Sequence, residues 1–316
     1  MRYVITGGLG FIGSHFVRNL LQEELSDEVV NIDCVTYAAD LSLNDEFSKS
    51  ENYKFLYANL ANASSIKNII QDDDIIVNFA AESHVDRSIH DGTAFLQTNV
   101  VGTYNLLKEC QHKKIKKIVH ISTDEVYGSL SFEDRPKVES DIFNPSSLYS
   151  ASKASAEMIC MAMFHTFEMP IVITRSSNNY GTHQYPEKMI PYFVKKLIEG
   201  KNVPLYGDGK NVRDWLHVAD NCDAIRIIVD RGRVGEAYNI GGCNQISNID
   251  VTRKMLSILN LDESRIDFVQ DRLGHDRRYD LNCDKTKALG WLPVRKFDEE
   301  FPKIVQWYKN KMKGIR

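Results

Sequence analysis

The sequence lacks several features that would place it in common classes of protein. No CxxC pair occurs among its six cysteines, which argues against zinc-ligand spacing and against a small disulfide scaffold. We therefore predict reduced thiols and no metal site. No apolar run approaches the roughly 18 residues of a membrane span. There is no basic surplus, because 39 Lys and Arg stand against 43 Asp and Glu, so we expect no nucleic-acid partner.

The amino terminus also lacks the pattern of a secretory signal. An apolar strand begins at Tyr3, and no basic segment followed by a long apolar stretch precedes it. We therefore expect a cytoplasmic protein with no membrane partner. With 316 residues, 43% of them hydrophobic, the chain is long enough for a large α/β unit with a full core.

Short apolar runs alternate with helical spacing in the first half of the chain. Strands are predicted over residues 2–6, 29–33, 54–58, 75–79, 117–122 and 171–175, and helices over residues 11–21, 64–70, 95–110 and 150–167. Nearly continuous apolar strands separated by helices indicate a parallel sheet covered on both faces. The pattern predicts a Rossmann-type doubly wound parallel sheet.

The alternation of strands and helices ends after about residue 178, where prolines and a Gly-Asp-Gly turn at 207–209 indicate loops and short elements. Helices are predicted over residues 189–199, 218–230 and 248–259. We therefore expect one domain over residues 1–177, which contains the parallel sheet, and a smaller α/β lobe over residues 178–316. The boundary is approximate, since the chain is free to cross back between them.

A glycine pattern follows the first predicted strand and opens the first helix. Gly7, Gly10 and Gly13 give the spacing GxxGxxG, which allows a tight turn and a close approach of the backbone to a pyrophosphate. The helix N-terminus then presents free N–H groups to the anion. Asp33 ends the second strand, where a carboxylate binds ribose hydroxyls and repels a 2′-phosphate. These residues favour NAD over NADP.

Two further groups of residues point to proton transfer. Tyr149 and Lys153 are four residues apart at the start of a predicted helix, so they share one face, and a nearby ammonium is expected to lower the pKa of the phenol. Thr123, Asp124 and Glu125 follow a strand, at the carboxyl end where ligands bind in such sheets. A hydroxyl beside two acids suits the elimination of water, which simple hydride transfer does not require.

These segments, TGGLGFIGS, STDEVYG and YSASK, resemble the extended short-chain dehydrogenase/reductases. Further segments are similar to the dTDP-glucose 4,6-dehydratases among them: AAESHVDRSI, TNVVGT, SNNYG, PEKMIP, PLYGDGKNVRDWLHV and DRLGHDRRY. The similarity runs in order from residue 1 to about 310. It implies NAD-dependent dehydration of dTDP-glucose to dTDP-4-keto-6-deoxyglucose, a hydro-lyase reaction, with a dTDP-hexose as the bound partner. It also implies a homodimer and a place in rhamnose or other deoxysugar synthesis.

The resemblance implies a role for each matching residue. Tyr149 would take the C4 hydroxyl proton, Lys153 would orient the nicotinamide ribose, and Thr123 would hydrogen bond to the C4 oxygen. Glu125 would remove the C5 proton, and Asp124 would protonate the departing C6 hydroxyl. The implied NAD-binding residues are Gly7, Gly10, Phe11, Ile12, Gly13, Asp33, Asn59, Leu60, Ala80, Ala81, Ser83, Thr98, Tyr149, Lys153 and Asn178. The implied substrate-binding residues are His84, Thr123, Asn178, Glu187, Lys188, Arg213, Asn248, Arg272 and His275.

The sequence departs from the family pattern beside the adenosine. Cys34 and Ala39 stand where the family has lysine and glycine, and Asn59 stands where it has aspartate. An amide oxygen still accepts a hydrogen bond from an adenine amino group. These changes bear on NAD affinity more than on the type of reaction.

Two other functions remain open on the sequence alone. A nucleotide-sugar 4-epimerase of the same fold would use the glycines, Tyr149 and Lys153 but would not need Asp124 and Glu125. A non-catalytic NAD-sensing protein would need neither the Tyr149 and Lys153 pair nor the Asp124 and Glu125 pair. The presence of both pairs argues against that function.

Overall fold

The computed structural model describes residues 1–23 and 25–314. Twelve strands lie within these residues. They are β1 (Arg2–Thr6), β2 (Glu28–Asp33), β3 (Tyr53–Tyr57), β4 (Ile75–Asn78), β5 (Lys117–Thr123), β6 (Ile171–Ser176), β7 (Asn178–Tyr180), β8 (Val203–Tyr206), β9 (Val212–His217), β10 (Ala237–Ile240), β11 (Gln245–Ser247) and β12 (Ile266–Val269). The first six match the predicted strands to within about a residue at each end.

Eleven α-helices lie between and after these strands within the described residues. They are α1 (Phe11–Gln22), α2 (Leu41–Phe47), α3 (Val85–His90), α4 (Thr93–Phe95), α5 (Thr103–Cys110), α6 (Leu148–Phe167), α7 (Met189–Ile198), α8 (Val218–Arg231), α9 (Asn248–Ile258), α10 (Asp284–Lys287) and α11 (Phe297–Met312). Short 3₁₀ turns lie at Ala63–Ile66, Asp124–Tyr127 and Glu263–Arg265.

Seven parallel strands form the large sheet, in the order β10-β6-β5-β4-β1-β2-β3. From β1 to β3 the strands are added toward one edge of the sheet, and from β4 to β6 they are added toward the other edge. The switch point of the topology therefore lies between β1 and β4. Ligands bind in such sheets in the crevice at this point, beyond the carboxyl ends of the strands. The predicted doubly wound Rossmann-type sheet is confirmed.

Alternating side chains of the strands build a core on each face of this sheet. Tyr3 and Ile5 belong to the cluster that includes residues of α1 and α8. Val4, between them, belongs to the cluster that includes residues of α5 and α6. Because successive side chains of a strand point to opposite faces, a strand buried on both faces has to be apolar throughout, as the sequence pattern shows.

The remaining strands form two small sheets, β11-β9-β7 and β12-β8. A third core cluster lies here, built by α7, α9 and α11, with Phe193, Met255 and Phe301 among its buried members. The chain also crosses back to the large sheet after residue 178. In that return segment α8 packs against α1, and β10 pairs with β6.

Two predicted helices differ from the structure. The helix predicted over residues 64–70 is wrong: a 3₁₀ turn ends at Ile66, and Asn68 takes a left-handed φ of 63° that interrupts any helix. The helix predicted over residues 95–110 is continuous, but Leu96–Gly102 winds as a π-helix before α5. Within the described residues, no helix is long and apolar enough to cross a bilayer.

Candidate active site

The glycine loop between β1 and α1 brings two backbone segments into close contact. Gly7 has a φ of 70°, and a Cβ there would lie 2.8 Å from the backbone of Ala80. A Cβ on Gly13 would lie 2.4 Å from the carbonyl oxygen of Gly7. Only glycine fits either position, so the turn stays tight and the start of α1 faces the crevice at the switch point.

Asp33, at the end of β2, is fixed beside this loop. Its Oδ2 accepts a hydrogen bond from the backbone N–H of Leu9 at 3.0 Å, and its Oδ1 accepts one from Val35 at 2.8 Å. Burial raises the pKa of the carboxyl, and these backbone donors act against that rise. Each oxygen keeps a further lone pair, so both remain able to accept from hydroxyl groups.

A cavity of about 100 Å³ lies between the glycine loop and the ends of β2, β3 and β4. Eight of the residues predicted to bind the cofactor line it: Gly7, Gly10, Asp33, Asn59, Leu60, Ala80, Ala81 and Thr98. Phe11, Ile12 and Gly13 follow directly at the start of α1. Thr36 and Glu82 also line the cavity but were not assigned from the sequence.

The three departures from the family pattern all lie at this cavity, which Cys34, Ala39 and Asn59 line together. The amide oxygen of Asn59 accepts a hydrogen bond from the backbone N–H of Ala61 at 2.9 Å. It therefore stabilises its own loop, with a second lone pair left for a ligand.

The predicted catalytic residues converge where β5 ends and α6 begins. The hydroxyl of Thr123 donates to Oδ1 of Asp124 at 3.2 Å and accepts from the backbone N–H of Glu125 at 3.3 Å. Thr123 thus caps the short 3₁₀ turn that carries both acids. At α6, a capping box of Ser147 and Ser150 fixes the helix start, and with it the position of Tyr149.

Tyr149 and Lys153 lie on α6 as predicted, but their electrostatics differ from the expectation. The ammonium of Lys153 donates to the carbonyl oxygen of Ile121 at 2.5 Å, and burial lowers its pKa to about 8. The pKa of Tyr149 is raised, because the phenol is buried and the negative charge of Glu125 adds to the rise. The prediction that the ammonium of Lys153 lowers the pKa of the Tyr149 phenol is therefore wrong.

The two acids both hold protons more tightly than free carboxyl groups. Burial raises the pKa of Asp124 well above its usual range, and the charges of Glu125 and Asp214 add to the rise. Burial also raises the pKa of Glu125, against the opposing charges of Arg213, Arg272 and Lys188. Asp124 is thus suited to donate a proton, and Glu125 is a stronger base than a free glutamate.

A larger cavity of about 520 Å³ lies between the large sheet and the small sheets. Nine of the residues predicted for catalysis or substrate binding line it: His84, Glu125, Asn178, Glu187, Lys188, Arg213, Asn248, Arg272 and His275. Ser83, predicted on the cofactor side, lines this cavity too. Oδ1 of Asn178 and Nδ1 of His84 are buried without a hydrogen-bond partner among the described residues. Buried polar atoms of this kind need a partner, which a ligand would supply.

The cations of this cavity are held in place by the protein. The guanidinium of Arg213 stacks over the ring of Tyr279 at 4.5 Å and donates to the carbonyl oxygen of Asp276 at 3.0 Å. Arg272 pairs with Asp86 at 3.4 Å. The ammonium of Lys188 donates to the carbonyl oxygen of Ser83 at 2.6 Å.

A network that the sequence did not predict joins the two cavities. The hydroxyl of Tyr37 lies 3.1 Å from a carboxylate oxygen of Glu82 and 3.3 Å from one of Glu187. Arg87 pairs with Glu187 at 2.9 Å and lies over the Tyr37 ring at 3.7 Å. Tyr279 was also missed, although it stands in the DRLGHDRRY segment that carried the resemblance. The resemblance of that segment to the family was the sequence signal that could have identified Tyr279.

Known proteins match the chain along nearly its whole length. The family model described as GDP-mannose 4,6 dehydratase matches residues 4–304. The low-salt glycan biosynthesis protein of Haloferax volcanii is 42% identical over 98% of both chains. A dTDP-glucose 4,6-dehydratase of Escherichia coli is 40% identical over 100% of this chain and 94% of its own.

Solved structures agree with these relatives. The dTDP-glucose 4,6-dehydratase of Streptomyces venezuelae, solved with NAD, is 41% identical, with a TM-score of 0.96 over 99% of this chain and 98% of that one. The UDP-glucuronic acid 4-epimerase of Bacillus cereus, also solved with NAD, is 25% identical, with a TM-score of 0.89 and full coverage of both chains. The chain therefore belongs to the GDP-mannose 4,6-dehydratase family, and its resemblance to the dTDP-glucose 4,6-dehydratases of that family is confirmed.

Proposed function

We propose that the chain catalyses the NAD-dependent dehydration of dTDP-glucose to dTDP-4-keto-6-deoxyglucose. The observation that carries this proposal is the pair of acids directly after Thr123, beside Tyr149 and at the carboxyl end of β5. Their raised pKa values suit one acid and one base, which elimination of water requires and epimerisation at C4 does not. Relatives that are about 40% identical carry the dehydratase name.

The residues of the smaller cavity fit NAD. The glycine cradle leaves no space for a Cβ, as close approach of a pyrophosphate requires, and Asp33 presents acceptors for ribose hydroxyls. At this site NAD would supply a hydride acceptor for oxidation at C4 and a hydride donor for reduction at C6, so the overall reaction would consume no oxidant. We assign Gly7, Gly10, Asp33 and Thr98 to this cofactor on the evidence of the cavity they line.

Within the reaction, we assign each proton to a residue. Tyr149 takes the proton of the C4 hydroxyl, and Thr123 hydrogen bonds to the C4 oxygen. The ketone formed at C4 acidifies the C5 proton, which Glu125 removes. Asp124 protonates the C6 hydroxyl as it leaves as water, and Glu125 returns its proton to C5 when C6 is reduced.

Charge and shape support a nucleotide diphosphate sugar in the larger cavity. Arg213 and Arg272 bring guanidinium groups that suit phosphate oxygens, and Lys188 adds a third cation. Three aromatic side chains, Tyr192, Phe193 and Tyr206, also line the cavity. We propose that the diphosphate binds the cations and that the hexose extends toward Glu125.

Product mass tests this function directly. The protein is incubated with dTDP-, UDP- and GDP-hexoses, and the products are weighed by mass spectrometry. A product lighter than dTDP-glucose by one water supports dehydration. A product of unchanged mass with inverted C4 would favour the epimerase, and NAD binding without turnover of any sugar would favour the sensing protein.

We further propose a homodimer that acts in the cytoplasm, in synthesis of rhamnose or another deoxysugar. Support for the dimer comes from large apolar side chains exposed near the packed helices α5 and α6, including Leu96, Tyr104 and Met158. Exposed apolar area of this kind is a feature of protein interfaces. Light scattering measures the mass in solution, and a monomer would contradict the proposal.

We also propose the two-part division at residue 177, with residues 1–177 binding NAD and residues 178–316 binding the nucleotide sugar. The segment 218–240 is the exception that we propose to count with the first part, because α8 packs against α1 and β10 pairs with β6 of the large sheet. Limited proteolysis that yields stable fragments tests the division.

A further inference from the structure

The segment that follows β2 forms one wall of the smaller cavity. Cys34, Thr36, Ala38 and Ala39 line the cavity from this side. Within the segment, Val35 has a left-handed φ of 51°, a conformation that a β-branched residue adopts only under strain. Strained backbone of this kind persists where surrounding contacts hold it, so the contacts of the segment decide whether this wall stays closed.

Tyr37 joins this segment to the loop that follows β4. It lies between Thr36 and Ala38 in the chain, and its hydroxyl donates to Oε2 of Glu82 at 3.1 Å. Glu82 lines the same cavity from the β4 side. Burial and the charges of Glu82 and Glu187 raise the pKa of the Tyr37 phenol, so the hydroxyl keeps its proton and remains a donor. We call this link from Tyr37 to Glu82 the arch.

The strand order determines what the arch spans. β1 lies between β2 and β4 in the large sheet, so a link from the loop after β2 to the loop after β4 crosses the loop after β1. That loop is the glycine turn at Gly7, whose tight backbone suits a pyrophosphate. Neighbouring strands lie about 4.8 Å apart, so the arch crosses a gap of about 10 Å. A dinucleotide on the glycine turn would lie beneath it.

Arg87 holds the arch from a second side. Its guanidinium lies 3.7 Å from the centre of the Tyr37 ring, and its Nε donates to Oε2 of Glu187 at 2.9 Å. Oε1 of Glu187 lies 3.3 Å from the Tyr37 hydroxyl, but a phenol has one proton, and its shorter contact is with Glu82. The stacked guanidinium therefore fixes the Tyr37 ring without using that proton.

The proposed reaction requires a cofactor that stays bound throughout. A hydride is taken from C4 and is returned to C6 of the same sugar, so loss of reduced cofactor between the two steps would leave a ketosugar that cannot be completed. Tyr37 and Arg87 line neither cavity, so they have no direct part in either hydride transfer. Their contacts instead connect three loops, those after β2, β4 and β7, around the place where the cofactor would bind.

We propose that Tyr37 and Arg87 hold the segment after β2 closed over bound NAD, so that the cofactor stays in the site through both hydride transfers. This inference rests on the proposed function. Tyr37 and Arg87 are positioning residues, because they act through Glu82 and Glu187 rather than on the reacting atoms. The arch has to open for the cofactor to enter or leave, and it stays closed during turnover.

The rate of cofactor release tests the arch without any turnover. Protein that carries radiolabelled NAD is mixed with excess unlabelled NAD, and the label that stays with the protein is followed over time. Tyr37→Phe keeps the ring but removes a hydrogen bond to a carboxylate, so release should be at least about tenfold faster than in the wild type. Arg87→Ala removes a stacked cation that is half exposed, and it should speed release about two- to fivefold.

Two further variants separate the arch from a general effect on the loop. Tyr185→Phe is the matched control: its ring packs edge-on against Tyr37 at 5.4 Å, and its hydroxyl makes no hydrogen bond within the described residues, so release should change by less than about twofold. Glu82→Ala removes the acceptor. Adding Tyr37→Phe to Glu82→Ala should then change release by less than about twofold, because both changes break one contact. Circular dichroism establishes that each variant is folded.

Turnover provides a second measurement. After free cofactor is removed and the protein is diluted, the wild type should keep its activity on dTDP-glucose, whereas Tyr37→Phe should lose activity over time and regain it when NAD is added.

Three results would overturn the arch: release from Tyr37→Phe at the wild-type rate, an undiminished effect of Tyr37→Phe in the Glu82→Ala background, and wild-type release that is faster than turnover. Should Tyr37→Phe not fold, Arg87→Ala with an unchanged release rate would contradict the proposal instead. The proposed function fails separately, by product mass, because NAD release is measured without a sugar.

Discussion

Replacing Glu125 by Gln should stop the reaction halfway. The amide keeps the size of the side chain and its place on the 3₁₀ turn after β5, but it cannot accept the C5 proton. The C4 oxidation uses Tyr149 instead, so it should continue. Reduced cofactor and a 4-keto hexose should therefore accumulate together, with no water lost.

The size of the effect follows from the surroundings of the carboxylate. A positioned base contributes about 10²–10⁴-fold to a rate. Burial raises the pKa of Glu125 more than Lys188, Arg213 and Arg272 lower it, so it is a stronger base than a free glutamate. We therefore expect a loss in the upper part of that range, about 10³–10⁴-fold, which corresponds to about 4–5 kcal/mol in the barrier.

The assay is a single turnover in deuterated water, followed by cofactor absorbance and by the mass of the sugar. Glu125 is only half-buried, so the proton that it takes from C5 should exchange with solvent before it returns. Wild type should therefore incorporate deuterium at C5 and lose water, whereas the Gln variant should do neither. Glu125→Asp is the matched control, because it retains a carboxylate one methylene shorter and should recover part of the elimination. Dehydration by the Gln variant at the wild-type rate would refute the reasoning and would strengthen the epimerase alternative.

Three other predictions concern the cofactor, the oxidation and the substrate. Since Asp33 repels a 2′-phosphate, NAD should bind at least about tenfold more tightly than NADP, and a titration that finds equal affinities would contradict this. Tyr149→Phe should lower C4 oxidation by about 10²-fold or more with dTDP-glucose binding retained, so near-normal turnover would remove Tyr149 from the mechanism. Arg213→Ala should weaken binding of the nucleotide sugar by about 1.5–3 kcal/mol and leave NAD binding unchanged, and calorimetry with the reverse outcome would show that Arg213 serves the cofactor.

The sequence predicted six of the seven strands of the large sheet, because burial on both faces makes a strand apolar throughout, but it did not predict β10. It did not predict the strands of the small sheets. β11 has three residues, none of them buried, and β12 exposes Phe268, so neither forms a clear apolar run. Their existence depends on partners far along the chain, as in the pairing of Ile266 with Val203. Local pattern carries no information about such pairs.

The false helix over residues 64–70 has a similar cause. Ile66, Ile69 and Ile70 have helical spacing, and Ile66 and Ile70 are indeed buried. The backbone reaches that core through a 3₁₀ turn and a left-handed Asn68 instead. Spacing thus identified the buried side chains correctly but not the backbone conformation that delivers them.

At the candidate site, the sequence motifs predicted the positions of residues but not the electrostatic interactions that set their pKa values. The position of Lys153 one turn after Tyr149 suggested that its ammonium would lower the phenol pKa, yet it donates to the carbonyl oxygen of Ile121. Burial and Glu125, neither of which the helical spacing reveals, decide the shift. The contacts among Tyr37, Arg87 and Glu187 were equally hidden, because they join segments up to 150 residues apart.

One short stretch explains how the two cavities come to serve a single reaction. After β4 the chain passes Ala80, Ala81 and Glu82, which line the smaller cavity, and then Ser83 and His84, which line the larger one. The end of β5 lies directly beside it, because β4 and β5 pair in the sheet. Under the proposed function, residues after β5 would therefore meet a sugar bound in the larger cavity close to a cofactor bound in the smaller one. The strand order of the sheet thus sets the proximity of the two cavities that any C4 oxidation requires. Asp124 and Glu125, which follow Thr123, are the additional groups that elimination of water requires.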